Sequence, residues 1–105
     1  MIKRICVLLL LAASANAELR FTRAAVTSTS QTITIQAGEV LLINDDDDDS
    51  VYVRIFSQGE TAAPATTAHF EIKPHEGFGF PRSLSVSAVS LVTASGSAEV
   101  RLAYW

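Results

Sequence analysis

Glu39-Val40-Leu41-Leu42-Ile43-Asn44 runs into five aspartates and then into Val51-Tyr52-Val53-Arg54-Ile55-Phe56. Val40 to Ile43 is an unbroken apolar run of strand length, which predicts a strand buried on both faces. In the second stretch Val51, Val53 and Ile55 alternate with Tyr52, Arg54 and Phe56. A period of two places alternate side chains on opposite faces of a strand, so Val53 and Ile55 are expected to face the core. Two strands joined by a short polar turn form a hairpin, and that decides the fold class.

The same period recurs on either side. Ile33 and Ile35 alternate over Thr32 to Gln36, and Phe70 and Ile72 alternate with Glu71 and Lys73. Leu84, Val86 and Ala88 share one phase, while Val89 and Leu91 continue one register later. A slip of one residue inside a strand is what a β-bulge produces. Val100, Leu102 and Tyr104 alternate with Glu99, Arg101 and Ala103, so Val100 and Leu102 are also expected in the core. Turn signals separate these runs: Ala37-Gly38-Glu39, Gln58-Gly59-Glu60, Pro74-His75-Glu76-Gly77 and Ser95-Gly96-Ser97. Thr61 to Thr67, rich in Ala, Pro and Thr, reads as a long loop. About seven short strands with regular turns predict an all-β domain, a small antiparallel β-sandwich or a jelly-roll-like barrel.

The N-terminus has another purpose. Lys3 and Arg4 precede the apolar stretch Ile5 to Ala13, and Ala15-Asn16-Ala17 offers small residues before Glu18. This three-part pattern is that of a secretory signal peptide. Residues 1–17 are expected to be removed, leaving residues 18–105 as one β-sandwich domain in the periplasm, outside the cell or in a virion. The apolar stretch falls well short of the ~20 residues of a membrane-spanning helix, so no transmembrane segment is expected after cleavage. The only cysteine, Cys6, leaves with the signal. The remainder carries six basic and eleven acidic side chains. Those counts exclude a disulfide scaffold, a thiol enzyme, a cysteine-ligated metal site and a broadly basic nucleic-acid binder. So small a domain buries only about 60–65% of its surface, which favours association with copies of itself or with a larger assembly.

The order of elements resembles the small β-sandwich modules of tailed-phage virion proteins, those of head decoration and tail-associated domains. The residues that carry the resemblance are the strand ending in Asn44, the polar turn, and Val51-Tyr52-Val53-Arg54. Phe70-Glu71-Ile72-Lys73-Pro74, Val86-Ser87-Ala88-Val89-Ser90 and the closing Ser-Gly-Ser hairpin complete it. It spans roughly residues 30–104 and contains no catalytic motif. What it implies is a structural or binding role without enzymatic activity.

The residue types that carry chemistry are few. Asp45, Asp46, Asp47, Asp48 and Asp49 are the candidate cation ligands, because Ca²⁺ prefers carboxylate oxygens. The EF-hand spacing is absent: Ser50 stands at the sixth loop position and Phe56 at the twelfth. The other reading is a solvated acidic turn that discourages edge pairing. His75-Glu76 lacks the second histidine of a zinc-protease motif, and His69 is read as a surface residue. Gly77-Phe78-Gly79-Phe80-Pro81 is either an exposed aromatic loop or a closure of the sandwich end. Trp105 is expected at a sandwich end or a subunit contact. No nucleophile elbow, phosphate loop or acid/base pair is present, so neither an enzyme nor a cofactor is expected. The leading expectation is a non-enzymatic structural or assembly protein. The alternative is a secreted module that recognises a glycan, a surface or a cation through its loops.

Overall fold

The computed structural model describes residues 19–35 and 39–105. The expected signal peptide and cleavage point, and Ala37 and Gly38 of the first expected turn, lie outside the described residues. Eight strands follow in order: β1 (Arg20–Thr27), β2 (Gln31–Thr34), β3 (Val40–Asn44), β4 (Val51–Ser57), β5 (Phe70–Ile72), β6 (Gly77–Phe80), β7 (Val86–Thr93) and β8 (Ser97–Tyr104). One turn of 3₁₀-helix, Arg82–Leu84, precedes β7. Patterning singles out neither β1 nor β6. Ala24 and Ala25 blur the alternation of β1, and two glycines weaken the strand signal of β6.

Every pairing is antiparallel. β1 pairs with β8, β2 with β7, β3 with β6 and β4 with β5. These four pairs are nested, as in one long ribbon folded back at β4 and β5. The ribbon rolls up because β3 also pairs with β8 and β4 with β7. The result is two four-stranded sheets, β1-β8-β3-β6 and β2-β7-β4-β5. This strand order is the eight-stranded jelly roll.

The inward positions of both sheets fill one core. Val26, Val40, Leu42, Val100 and Leu102 come from the first sheet, and Val51, Val53, Val89 and Leu91 from the second. Ile55 packs against this core without being fully buried. The phase slip of β7 is a bulge: Phe56 opposes Ala88 while Ser57 opposes Val86, so Ser87 has no opposite residue. The Ser87 hydroxyl donates to the Phe56 and Ser57 carbonyls at 3.2 and 2.9 Å. Val86 and Val89, three residues apart, therefore both reach the core.

The outer faces of the two sheets differ. On the second sheet Phe56, Ala88, Ser90 and Val92 point outward and are nonetheless buried. The loop between β4 and β5 covers them. Ser90 donates to the Ala63 carbonyl at 2.7 Å, Arg54 reaches the Pro64 carbonyl at 3.3 Å, and the Ala65 N–H donates to Ser30 Oγ at 3.0 Å. The stretch that reads as a long loop is thus held against the sheet. The first sheet has no such cover among the described residues. Here the expectation of a strand buried on both faces is corrected: β3 alternates, with Val40, Leu42 and Asn44 buried and Leu41 and Ile43 only half-buried.

Candidate functional site

The uncovered outer face of the first sheet carries more apolar surface than a solvated face needs. Strand register sets its first row: Phe21 of β1 lies beside Ala103 of β8, which lies beside Leu41 of β3, with Gly79 of β6 beyond. Phe21 is 74% exposed, the most exposed large apolar side chain among the described residues. The small Ala103 between Phe21 and Leu41 leaves a hollow of about 400 Å³, walled by Leu19, Phe21, Leu41 and Trp105. Trp105 is held there by paired backbone hydrogen bonds with Glu39, at 3.1 and 3.2 Å. A second depression on the other side of Phe21 is bounded by Arg23 and Arg101.

The next rows along the strands are charged, and the charges pair. Arg23 Nη1 donates to Glu99 Oε2 at 2.9 Å. Arg101 grips Asp45 with two donors, Nε at 2.5 Å and Nη2 at 3.0 Å. Hydrogen bonding to Glu99, and its negative charge, raise the Arg23 pKa further above its ordinary value. The face therefore presents a knob, a hollow beside it and a rim of neutralised ion pairs.

The aspartate run lies at one end of the same sheet, and its carboxylates diverge. Asp45 points to Arg101. Asp46 Oδ2 accepts the N–H groups of Asp48 and Asp49 at 2.9 and 2.7 Å, which closes a tight turn. Those two backbone donors hold the Asp46 carboxyl below its ordinary pKa, with the Asp49 bond the larger cause. Asp47 Oδ1 meets His75 Nε2 at 2.7 Å. Asp49 lies against the outside of Gly96, whose φ of +72° the β7–β8 turn requires. Among the described residues no three carboxylate, imidazole or thiol groups gather where an ion could be held.

Asn44 organises this loop. It is 1% exposed, and its amide donates to the Asp49 and Ile72 carbonyls at 2.9 and 3.1 Å. Its side-chain oxygen accepts the Asp46 N–H at 2.9 Å, and its backbone oxygen accepts the His75 N–H. Sequence reading places Asn44 at a strand end but gives no sign of this double bridge.

The remaining candidates are structural in position. His69 Nδ1 accepts the Thr66 N–H at 2.8 Å within the covering loop. Gly77–Phe80 is a strand, and its two aromatic rings pack edge-on against Phe70, with centroids 4.5 Å from Phe78 and 6.2 Å from Phe80. Phe70 belongs to the edge strand of the second sheet and the other two to the edge strand of the first, so the trio closes one side of the sandwich. No known protein family and no curated protein matches the chain.

Proposed function

We propose that this chain is a non-enzymatic structural or assembly protein, exported or carried in a virion, that joins other protein through the bare face of its first sheet. The observation that carries this reading is the contrast between the two outer faces. The apolar outer residues of the second sheet are buried, and the chain's own loop is bonded over that face at Ser90 and Arg54. On the first sheet Phe21 stands 74% exposed beside the half-buried Leu41, Ala103 and Trp105. Contiguous apolar surface rimmed by polar groups marks contact sites on soluble proteins. The paired charges at its edge make an interface rim that loses little on partial burial.

The alternative, a module that binds through its loops, draws less support. The loops at the Asp run and at Ala63–Ala65 are tied down by internal hydrogen bonds.

Photo-cross-linking from inside the producing cell tests the reading. A benzophenone amino acid at position 21 is expected to give a protein adduct, and the same probe at Thr34, on the second sheet, is expected to give none. Absence of any adduct from position 21, or equal labelling from both positions, would contradict it.

A further inference from the structure

We infer that β1 is an open sheet edge to which a second copy of the chain adds its own β1, antiparallel, so that the first sheets of the two copies join into one. The contact is made by backbone at the rim of the sheet. It does not use the outer face and stands separately from the binding proposed there.

Backbone direction gives the first argument. Glu39 and Trp105 exchange both backbone hydrogen bonds, and the Asp45 N–H donates to the Glu99 carbonyl. Bonded pairs recur at every second residue of an antiparallel ladder. Glu99, Arg101, Ala103 and Trp105 therefore turn their backbone groups to β3, and Ala98, Val100, Leu102 and Tyr104 turn theirs to β1. Arg20, Thr22, Ala24 and Val26 stand opposite the latter four. The N–H and C=O groups of Phe21, Arg23, Ala25 and Thr27 then point away from the sheet. β1 is the end strand of its sheet, and among the described residues no backbone bond reaches these four from the far side.

The second argument is that this edge is unguarded. Proteins blunt sheet edges with short strands, proline, bulges or inward charge. The other edge strands, β2, β5 and β6, have four, three and four residues. The phenylalanine trio closes the side between β5 and β6. β1 has eight residues, no proline and an unbroken register with β8. Its buried inner positions are the apolar Ala24 and Val26. Of its charges, Arg20 stands at the first residue, and Arg23 is neutralised by Glu99.

The third argument is that the strand fits itself. A two-fold axis at Ala24 sets Phe21 opposite Thr27 of the other copy and Arg23 opposite its Ala25. All four outward residues then pair with one another, in about eight hydrogen bonds. On the outer side each large side chain stands beside a small one. On the inner side Thr22 meets Val26, and the two copies of Ala24 meet at the axis, where a non-bonded pair brings Cα atoms to about 4.5 Å. Moving the axis to Arg23 would set two arginines directly opposite, which is unfavourable. Strand addition takes its affinity from such main-chain hydrogen bonds. The contact is one strand wide, so the dimer belongs to the weak, transient class.

Amide hydrogen exchange on the purified chain, read residue by residue by NMR at tens of micromolar and at millimolar concentration, tests the inference. Ala24 and Val26, bonded to β8, should be protected at both. Arg23 and Ala25 should exchange freely when dilute and several-fold more slowly when concentrated. Ala25→Pro removes one outward N–H and leaves the β1–β8 ladder whole, since proline is accepted where an edge strand's N–H faces solvent. In that variant Arg23 should exchange at the same rate at both concentrations. If the variant does not fold, the parent's gain of protection at Arg23 and Ala25 on concentration decides alone.

Arg23 and Ala25 amides that exchange freely at every concentration overturn the inference. So does full protection in a dilute sample that light scattering shows to be monomeric, since the chain itself would then cover the edge. Protection on concentration that Ala25→Pro leaves intact overturns it as well. So does protection that appears only with a second protein species, which would give the edge to another partner. Cross-linking from position 21 in the Ala25→Pro chain still reports the outer face, so the two readings fail separately.

Discussion

Asn44 shows how much one side chain can hold. It is buried, and it bridges the aspartate turn to the carbonyl of Ile72 at the end of β5. Asn44→Ala removes two donors and leaves a buried carbonyl unsatisfied, which costs about 1–3 kcal/mol. Urea unfolding is expected to show that loss, whereas Asp47→Asn, at an exposed contact with His75, should change stability by less than about 1 kcal/mol. Asp46 has a pH signature. Its carboxyl titrates below its ordinary value of 3.8 because two backbone N–H groups stabilise the charged form. That contribution to stability is present above the unfolded value and is lost as pH falls through the depressed folded value. Asp46→Asn retains an oxygen acceptor and removes the titration. Its melting temperature should therefore fall less than the parent's between about pH 5 and pH 2. The run of like charges is legible in the sequence. Its division into an arginine partner, a turn closure and a histidine partner is not, because each partner lies on a strand or turn distant in the chain.

At the scale of the element, β3 separates two kinds of apolar residue. Leu42 is fully buried between the sheets, and Leu41, its neighbour, is on the open face. Leu42→Ala should cost about 2–5 kcal/mol in thermal or chemical unfolding, as the loss of a core leucine does. Leu41→Ala should cost under about 1 kcal/mol in the monomer, as an outer-face substitution away from the core does. Equal costs would mean that the faces of β3 are misassigned. The strands that could be read from sequence are those with clean alternation, β4 and β8, and the core positions Val53, Val100 and Leu102 follow from it. A slip in β7 is legible too, but its place is not: patterning keeps Val86 and Ala88 in one phase and sets the slip after Ala88, whereas the bulge lies at Ser87 and turns Ala88 outward. What patterning does not reveal is a short strand of alternating glycine and phenylalanine such as β6, whose pairing with β3 supplies the structure that its composition lacks. Nor does it distinguish a strand covered on both faces from one covered on a single face. Val40 to Ile43 has the sequence of the former, and Leu41 and Ile43 are only half-buried.

At the scale of the molecule, composition and turn spacing lead to an all-β sandwich, and the nested pairing makes it a jelly roll. Sheet order is set by pairings between strands as far apart as β1 and β8, and no local pattern carries them. The two outer faces then divide the labour: one is closed by the loop from β4 to β5, and the other is open, with Phe21 beside the hollow over Ala103. The proposed assembly role requires this open face to be buried against other protein in the producing cell. Trp105, the only tryptophan, lines the hollow beside Phe21, and both side chains are readily oxidised where water reaches them. Hydroxyl-radical footprinting read by mass spectrometry is therefore the direct measurement. Phe21 and Trp105 are expected to be oxidised in the purified chain and protected in the producing cell. Equal oxidation of both residues in the two states would contradict the assembly role.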